Sequence, residues 1–188
     1  MVRTFVALVI PKPWIRYLAR VEEELSKRMS GLSWVKPDNM HITIRFLGDL
    51  GDSGVRRAGE STARGAESHF AFPARLGNLG AFPNVSRPRV LWMGLAEGSA
   101  EGVAVAKSVN QSLQHDGFGP PDKPFKPHIT LARVREHAQG VEALLEYALP
   151  PAPEAAPLDR IVVMKSDLHP TGARYTALEE IRLRTPGA

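Results

Sequence analysis

The chain has 188 residues, 43% of them hydrophobic, which predicts one domain spanning residues 1–188 rather than two independent ones. It contains no cysteine, which excludes disulfides, thiolate metal sites and cysteine nucleophiles and fits a cytoplasmic location. The net charge of +4 suits a polyanionic partner, although the basic residues are scattered. Pro11 and Pro13 cut off the first apolar run, so we expect neither a signal peptide nor a membrane span there.

The hydrophobic pattern of the first half predicts strand, helix, strand, helix and strand, in that order. Apolar side chains recur at helical spacing behind Pro13, a favoured first-turn residue, and the later helix has a weaker pattern. The predicted strands cover residues 3–10, 41–47 and 70–76, and the predicted helices cover 14–29 and 53–67.

The second half repeats this order of elements and adds a final strand. Gly117 is a plausible C-terminal cap for the first of its helices, and residues 150–157 are a proline-rich loop. The predicted strands cover 89–95, 128–134, 158–168 and 174–183, and the predicted helices cover 100–115 and 141–149.

Matching residues in the two halves lie at a nearly constant spacing, which suggests an internal repeat. A repeat of this kind predicts an α+β fold of two lobes related by a pseudo-twofold axis. Each lobe would be a mainly antiparallel sheet with outer helices, and equivalent strands would face each other across a cleft. The pairs are Arg3 and Arg89, 86 positions apart, and His41 with His128 and Pro83 with Pro170, each 87 apart.

Two predicted strands carry the same motif, His41-Ile42-Thr43-Ile44 and His128-Ile129-Thr130-Leu131. Residues two apart on a strand share a face, so each His and Thr should point one way and the isoleucines should point into a core. Pro127 keeps Lys126 extended and fixes how the second strand begins. The motifs therefore display polar pairs on buried platforms.

Two facing imidazoles suit a reaction that needs one proton donor and one proton acceptor, because histidine titrates near neutral pH. The hydroxyls of Thr43 and Thr130 can bind the non-bridging oxygens of a phosphate held between the rings. A single His-x-Thr in a strand is most often structural, but two copies in matching strands favour a site. Two histidines are too few for a zinc site, so we expect no metal.

Taken with its flanks, the sequence resembles the 2H phosphoesterases, and within them the bacterial and archaeal RNA 2′,3′-cyclic phosphodiesterases, also named 2′-5′ RNA ligases. The resemblance covers nearly the whole chain. It rests on segments 3–8, 34–37, 41–48, 89–92, 125–134 and 172–175, which read RTFVAL, WVKP, HITIRFLG, RVLW, FKPHITLARV and GARY.

The resemblance implies a bilobal α+β fold with a pseudo-twofold axis and hydrolysis of a 2′,3′-cyclic phosphate to a 2′-phosphomonoester. We expect no cofactor, because the residues show no set of metal ligands. It also implies that His41 is the proton donor and His128 the proton acceptor. The usual leucine after the first threonine is Ile44 here, a conservative change on the core side.

Three basic residues near the motifs are candidates for binding phosphate. Arg45 shares strand parity with His41 but could instead point to solvent. Arg133 corresponds to a frequent family arginine that contacts phosphate, yet strict alternation puts it on the opposite face from His128, so a β-bulge or a strand end near Ala132 would be needed to turn it inward. Lys126 is an alternative cation, although solvated lysine is the commoner case.

Three aromatic residues, Trp34, Phe125 and Tyr175, could stack on a terminal base, although aromatic side chains are more often in the core. The other histidines lack a threonine partner, and we expect surface or structural roles for His69, His115, His137 and His169.

Two other functions stay open at this point. The same site could run the reverse reaction as a 2′-5′ RNA ligase, although the concentration of water, roughly 55 M, favours hydrolysis over joining dilute ends. A non-catalytic module that binds RNA ends would need one degraded motif, and both are intact. We expect a monomer that acts on RNA ends or short oligonucleotides and has no membrane or protein partner.

Overall fold

The computed structural model describes residues 1–169 and 172–187, apart from the side chains of residues 136, 137 and 145. Nine strands, four α-helices and one short 3-10 helix form in this part of the chain. In chain order they are β1 (Val2–Leu8), α1 (Lys12–Ser26), β2 (Ser30–Trp34), the 3-10 helix (Pro37–Asn39), β3 (Ile42–Leu50), α2 (Asp52–Ala66), β4 (Phe72–Phe82), β5 (Val90–Glu97), α3 (Ser99–His115), β6 (His128–Gln139), α4 (Ala143–Glu146), β7 (Ala156–Leu158), β8 (Arg160–Asp167) and β9 (Arg174–Arg182).

The nine described strands join one antiparallel sheet. Its order is β7-β4-β5-β6-β3-β1-β8-β9, and β2 pairs with β6 beside this path. Helices α2 and α3 pack against each other, α3 contacts β3 and β5, and α2 contacts strands from β3 out to the edge strand β9. The predicted α+β class, with a mainly antiparallel sheet and packed helices, is confirmed.

The strand order supports the internal repeat. Outward from the boundary between β3 and β6, the order is β3, β1, β8 on one side and β6, β5, β4 on the other. An offset of 87 residues carries β3 onto β6, β1 onto β5, β4 onto β8 and α1 onto α3. However, β3 and β6 are neighbours in one sheet and do not face each other from two sheets. The division into two lobes with a cleft therefore stays a prediction. Pro170, which the predicted repeat pairs with Pro83, lies outside the described residues.

Each of the long helices α1 and α3 buries one apolar face, as the spacing predicts. Because these side chains recur every three or four residues, they form one stripe against the sheet. Complete burial of a leucine of this kind contributes roughly 1.5–3 kcal/mol. Those with no exposed surface, or 1% at most, are Trp14, Tyr17, Leu18, Val21 and Leu25 in α1 and Val105, Ala106, Val109 and Leu113 in α3.

Three elements differ from the sequence prediction. Strand β2 was not expected, because Ser30–Trp34 contains a glycine and two serines, and its pairing with β6 makes it a strand. Strand β7 forms inside the predicted loop by pairing with β4. The helix expected over residues 141–149 is reduced to α4, and the backbone is already extended at Tyr147.

Strand β4 continues to Phe82, past its predicted end at residue 76. Gly80 makes this possible, because a Cβ atom there would lie 2.3 Å from the ring of Trp92 on β5. The missing side chain lets the indole lie against the neighbouring backbone. In this position the Trp92 ring lies close to that of His128.

Candidate functional site

The two His-x-Thr motifs lie side by side where β3 meets β6. Ile42 pairs with Ile129, and both side chains are completely buried in the core. The antiparallel register therefore places His41 opposite Thr130 and Thr43 opposite His128. All four polar side chains lie on the face away from the core, called the site face below. Neighbouring strands thus bring together residues 87 positions apart in sequence.

One nitrogen of each imidazole is fixed by a backbone carbonyl. His41 Nδ1 lies 2.7 Å from the carbonyl oxygen of Asn39, and His128 Nδ1 lies 2.6 Å from that of Lys126. A carbonyl can only accept, so both Nδ1 atoms carry hydrogen and donate. Each neutral ring therefore keeps a basic Nε2, which is the nitrogen left to exchange protons with a substrate.

The two Nε2 atoms have different surroundings. His41 Nε2 lies 2.8 Å from Thr43 Oγ1, which donates to the neutral ring and accepts from the protonated one. Among the residues that the structure describes, His128 Nε2 and the Thr130 hydroxyl make no side-chain hydrogen bond. Both remain able to bind a ligand.

Aromatic rings enclose each histidine. The His41 ring stacks on Phe5, with centroids 4.9 Å apart, and meets the ring of Tyr175 edge-on at 5.4 Å. The His128 ring meets Phe82 edge-on at 5.0 Å and Trp92 at 6.3 Å. These rings orient the imidazoles and exclude water from their sides.

This enclosure lowers the pKa of both histidines. The pKa of His41 falls from 6.5 to about 4, mainly because the ring is buried; the bond to Asn39 opposes this shift, and the charges of His128 and Arg133 add to it. Burial also lowers the pKa of His128, with the Lys126 carbonyl opposing and Arg133 adding to the shift. Without a ligand, both rings are neutral at neutral pH. A phosphate anion between them would favour the protonated forms.

A β-bulge turns Arg133 towards the site face. Thr130 pairs with Trp92, but Ala132 pairs with Leu91, so residue 131 is the extra residue of β6. Ala132 is completely buried and Arg133 is exposed. The bulge required for Arg133 to share a face with His128 is present, and the effect of its charge on both imidazoles agrees with this position.

A matching bulge in β3 has the opposite consequence for Arg45. Thr43 pairs with Ala7, but Arg45 pairs with the core residue Val6, which turns the guanidinium away from the site face. Its Nη2 donates to three consecutive carbonyls in the loop after α3, those of Phe118, Gly119 and Pro120, at 2.6, 2.7 and 3.2 Å. The prediction that Arg45 reaches the substrate does not fit this placement.

The same bulge brings a residue to the site face that the sequence analysis missed. Phe46 pairs with Phe5, its ring lies 5.6 Å from that of Phe5, and it is 54% exposed. Strict alternation from His41 would have placed Phe46 in the core. The repeat could have indicated this position, because Phe46 lies 87 residues before Arg133 and each of the two residues follows a bulge in its strand.

The other predicted neighbours lie in different places. Tyr175 contacts His41, whereas Phe125 and Trp34 are half-buried and pack against the core. The Lys126 side chain is exposed, and the residue contacts the site through its backbone carbonyl, which accepts from His128 Nδ1. No group of three or more His, Asp or Glu side chains suitable for a metal occurs within the described residues.

The remaining histidines lie outside this cluster. His69 shares a hydrogen bond of 2.8 Å with Ser108 Oγ, while His115 and His169 are exposed, as their predicted surface or structural roles require. The side chain of His137 lies outside the described part of the chain.

Comparison with known proteins shows what the chain as a whole is similar to. The sequence matches the model of the family described as "LigT like Phosphoesterase" over residues 8–92 and 96–175, which include both motifs. It is 31% identical over 186 residues to the "RNA 2′,3′-cyclic phosphodiesterase" of Aquifex aeolicus, covering 97% of this chain and 98% of that protein. The protein of the same name from Thermotoga maritima is 32% identical over 178 residues, covering 95% and 94%. A crystal structure from Thermus thermophilus has a TM-score of 0.76 at 28% identity, covering 98% of this chain and 99% of that one.

Proposed function

Since the chain belongs to the LigT-like phosphoesterase family, we propose that it hydrolyses 2′,3′-cyclic phosphate ends of RNA to 2′-phosphomonoesters. The relatives from Aquifex aeolicus and Thermotoga maritima carry the name of this activity. One structural observation carries the proposal: His41 and His128 lie on neighbouring strands, and because a carbonyl accepts from each Nδ1, the basic nitrogen of each neutral ring is Nε2.

In this reaction, the cyclic phosphate lies between the two Nε2 atoms. His128 Nε2 takes a proton from water as the water oxygen bonds to phosphorus, and His41 Nε2 gives a proton to the 3′ oxygen as its bond to phosphorus breaks. The threonine hydroxyls and Arg133 bind the non-bridging oxygens, where negative charge builds up. Phosphate remains on the 2′ oxygen, and the 3′ hydroxyl is free.

The terminal base would lie against an aromatic surface. Phe46 supports this part of the proposal, because its ring is exposed on the site face beside Phe5. Tyr175 is a second candidate. Stacking on an aromatic ring contributes about 1–3 kcal/mol per base and tolerates any base, so it would hold the end without selecting a sequence.

One oligonucleotide assay tests the proposal against its two rivals. An oligonucleotide that ends in a 2′,3′-cyclic phosphate is mixed with one that carries a 5′ hydroxyl, and the products are separated and identified. We expect a 2′-phosphate end as the main product. Mainly 2′-5′ joined product would identify a ligase, and tight binding without turnover would identify a binding module.

The pH dependence of kcat/KM should show the two lowered histidine pKa values. The reaction needs one ring protonated and one neutral, so the rate falls below the lower pKa and above the higher one. Because the pKa of His41 is about 4 and that of His128 is lowered from 6.5, both limbs of the bell-shaped curve should lie below pH 7. The limbs of kcat should lie at higher pH, because bound phosphate raises both pKa values. Initial rates between about pH 3 and 9 measure this; a kcat/KM that keeps rising at alkaline pH would contradict it.

This profile does not assign the two roles. In the free protein His128 holds a proton more readily than His41, which is the reverse of the arrangement that the proposed mechanism uses. Both singly protonated forms have the same net charge, so they give the same bell-shaped curve. Assigning the roles needs substrates with different leaving groups.

Turnover should not require added metal, because the two imidazoles can carry out both proton transfers. The measurement compares the rate before and after treatment with a chelator, followed by dialysis. We expect an unchanged rate. Complete loss that zinc or magnesium restores would show that a metal takes part.

The affinity for RNA ends should fall as the salt concentration rises, but the log–log slope should be shallow. A site that holds one terminal phosphate and two or three further phosphates gives a log–log slope of about −1 to −3, at roughly −0.7 per contact on single strands. Fluorescence titration with an uncleavable end analogue measures the slope. A value near −10 would instead indicate a long binding track.

Location and assembly belong to the proposal as well. No helix in the described ranges is both long and apolar enough to cross a lipid bilayer. We propose a cytoplasmic monomer that acts on RNA ends or short oligonucleotides, without a protein partner.

A further inference from the structure

Asn39 contacts both His41 and a distant part of the chain. It lies in the 3-10 helix before β3, and its backbone carbonyl accepts the hydrogen bond from His41 Nδ1. Its side-chain Nδ2 donates to the carbonyl oxygen of Ala173 at 2.8 Å, across 134 positions of sequence. The first bond orients the imidazole. The second, called the tie, holds the backbone at Ala173 against the same turn.

The tied segment leads to Tyr175. Ala173 lies just before β9, and its neighbour Gly172 has a φ of +109°, a backbone conformation that glycine adopts readily. The sheet ladder begins only at Arg174, which pairs with Asp167. The bond from Asn39 therefore holds a point that the sheet does not. Tyr175, two residues later, lies edge-on against the rings of His41 and Phe5.

The second motif lacks this arrangement. An offset of 87 positions carries Asn39 onto Lys126, whose carbonyl accepts from His128 Nδ1 in the same way. The Lys126 side chain is exposed, and within the described residues it makes no hydrogen bond to another segment. The tie is therefore present on one side of the site only, the side of the more enclosed histidine.

We propose that Asn39 is a positioning residue, which holds Tyr175 against the His41 ring through its hydrogen bond to Ala173 and so keeps that ring enclosed. His41 is then surrounded by Phe5 on one face, Tyr175 at its edge and Thr43 at Nε2. The charged groups that act on it are His128 and Arg133. This role rests on the proposed function and deepens it, because the two histidines occupy equivalent positions of the repeat and only the His41 side has the bond from Asn39 to Ala173 within the described residues.

The test uses Asn39→Leu, which has nearly the same size but no donor and leaves the backbone carbonyl in place. Tyr175 pairs with Ser166 near the start of β9, so loss of the hydrogen bond from Asn39 should loosen this end of the strand and not the whole strand. The Tyr175 ring should then move away from His41, admit water and raise the pKa of His41 from about 4 towards 6.5, since burial is the main cause of the lowering. NMR titration of the imidazole protons measures this in the ligand-free protein. The matched control is Asn78→Leu, whose asparagine is exposed on β4.

A double-mutant cycle tests whether Asn39 acts through Tyr175. Tyr175→Ala should by itself raise the pKa of His41, and adding Asn39→Leu should then change little, because both remove the same enclosure. Two shifts that add, or an unchanged His41 in the folded Asn39→Leu protein, would overturn the proposal. Tyr175→Ala leaves the tie in place and serves as a second variant if Asn39→Leu does not fold.

These titrations need no substrate, so their outcome is separate from that of the proposed function. If the protein also turns over cyclic phosphate ends, the acid limb of kcat/KM should move to higher pH in Asn39→Leu and stay in place in Asn78→Leu. A general loosening of the fold would instead shift His41 and His128 together and lower the melting temperature, and that result would also count against the proposal.

Discussion

Replacing His41 or His128 with alanine is expected to lower the rate of cyclic phosphate hydrolysis by about 10²–10⁴-fold, the usual contribution of one general acid or base. Each ring supplies the basic Nε2 on its side of the site, and no other histidine within the described residues belongs to the cluster. Loss of either should therefore affect kcat more than KM. Single-turnover rates on a defined cyclic phosphate oligonucleotide measure the loss.

The fold should survive both substitutions, because the buried partners of the motifs, Ile42 and Ile129, remain. His115→Ala is the matched control, since that imidazole is exposed on α3. We expect it to keep the normal rate. Normal activity of a folded His41→Ala or His128→Ala protein would rule out the assignment.

The two histidine variants should differ when the leaving group is changed, and this contrast is the second large effect. A ribose alkoxide is a poor leaving group and needs the acid, whereas a nitrophenolate departs almost unaided. If His41 is the acid, His41→Ala should recover most of its rate on a nitrophenyl phosphodiester. His128→Ala should stay slow on both substrates, because water must still be activated.

This experiment resolves the question that the pH profile leaves open. Burial lowers the pKa of His41 in the free protein, and bound phosphate would favour the protonated form that the acid role needs. Rate ratios for the two substrates in each variant give the answer directly. Rescue of His128→Ala alone would mean that the roles are reversed.

The sequence predicted most of the fold, because local periodicity carries that information. The α+β class, the faces of α1 and α3 and the strands of both motifs follow from the spacing of apolar residues. It was less successful where pairing overrides local preference. Strand β2 contains little β propensity, and β7 lies among prolines, yet both form because a partner strand is available.

For the site, the sequence by itself identified its four central residues: two His-x-Thr motifs at an interval of 87, with alternation that separates their polar and apolar side chains. Only the tertiary structure decided which further residues join them. Arg133 and Phe46 lie on the site face and Arg45 does not, because β-bulges break the alternation, and a bulge is recognised from the register against the neighbouring strand. The contact of Asn39 with Ala173 depends likewise on how distant segments meet. Strand periodicity is a local property of the chain, whereas register and long-range contacts are set by packing of the whole domain.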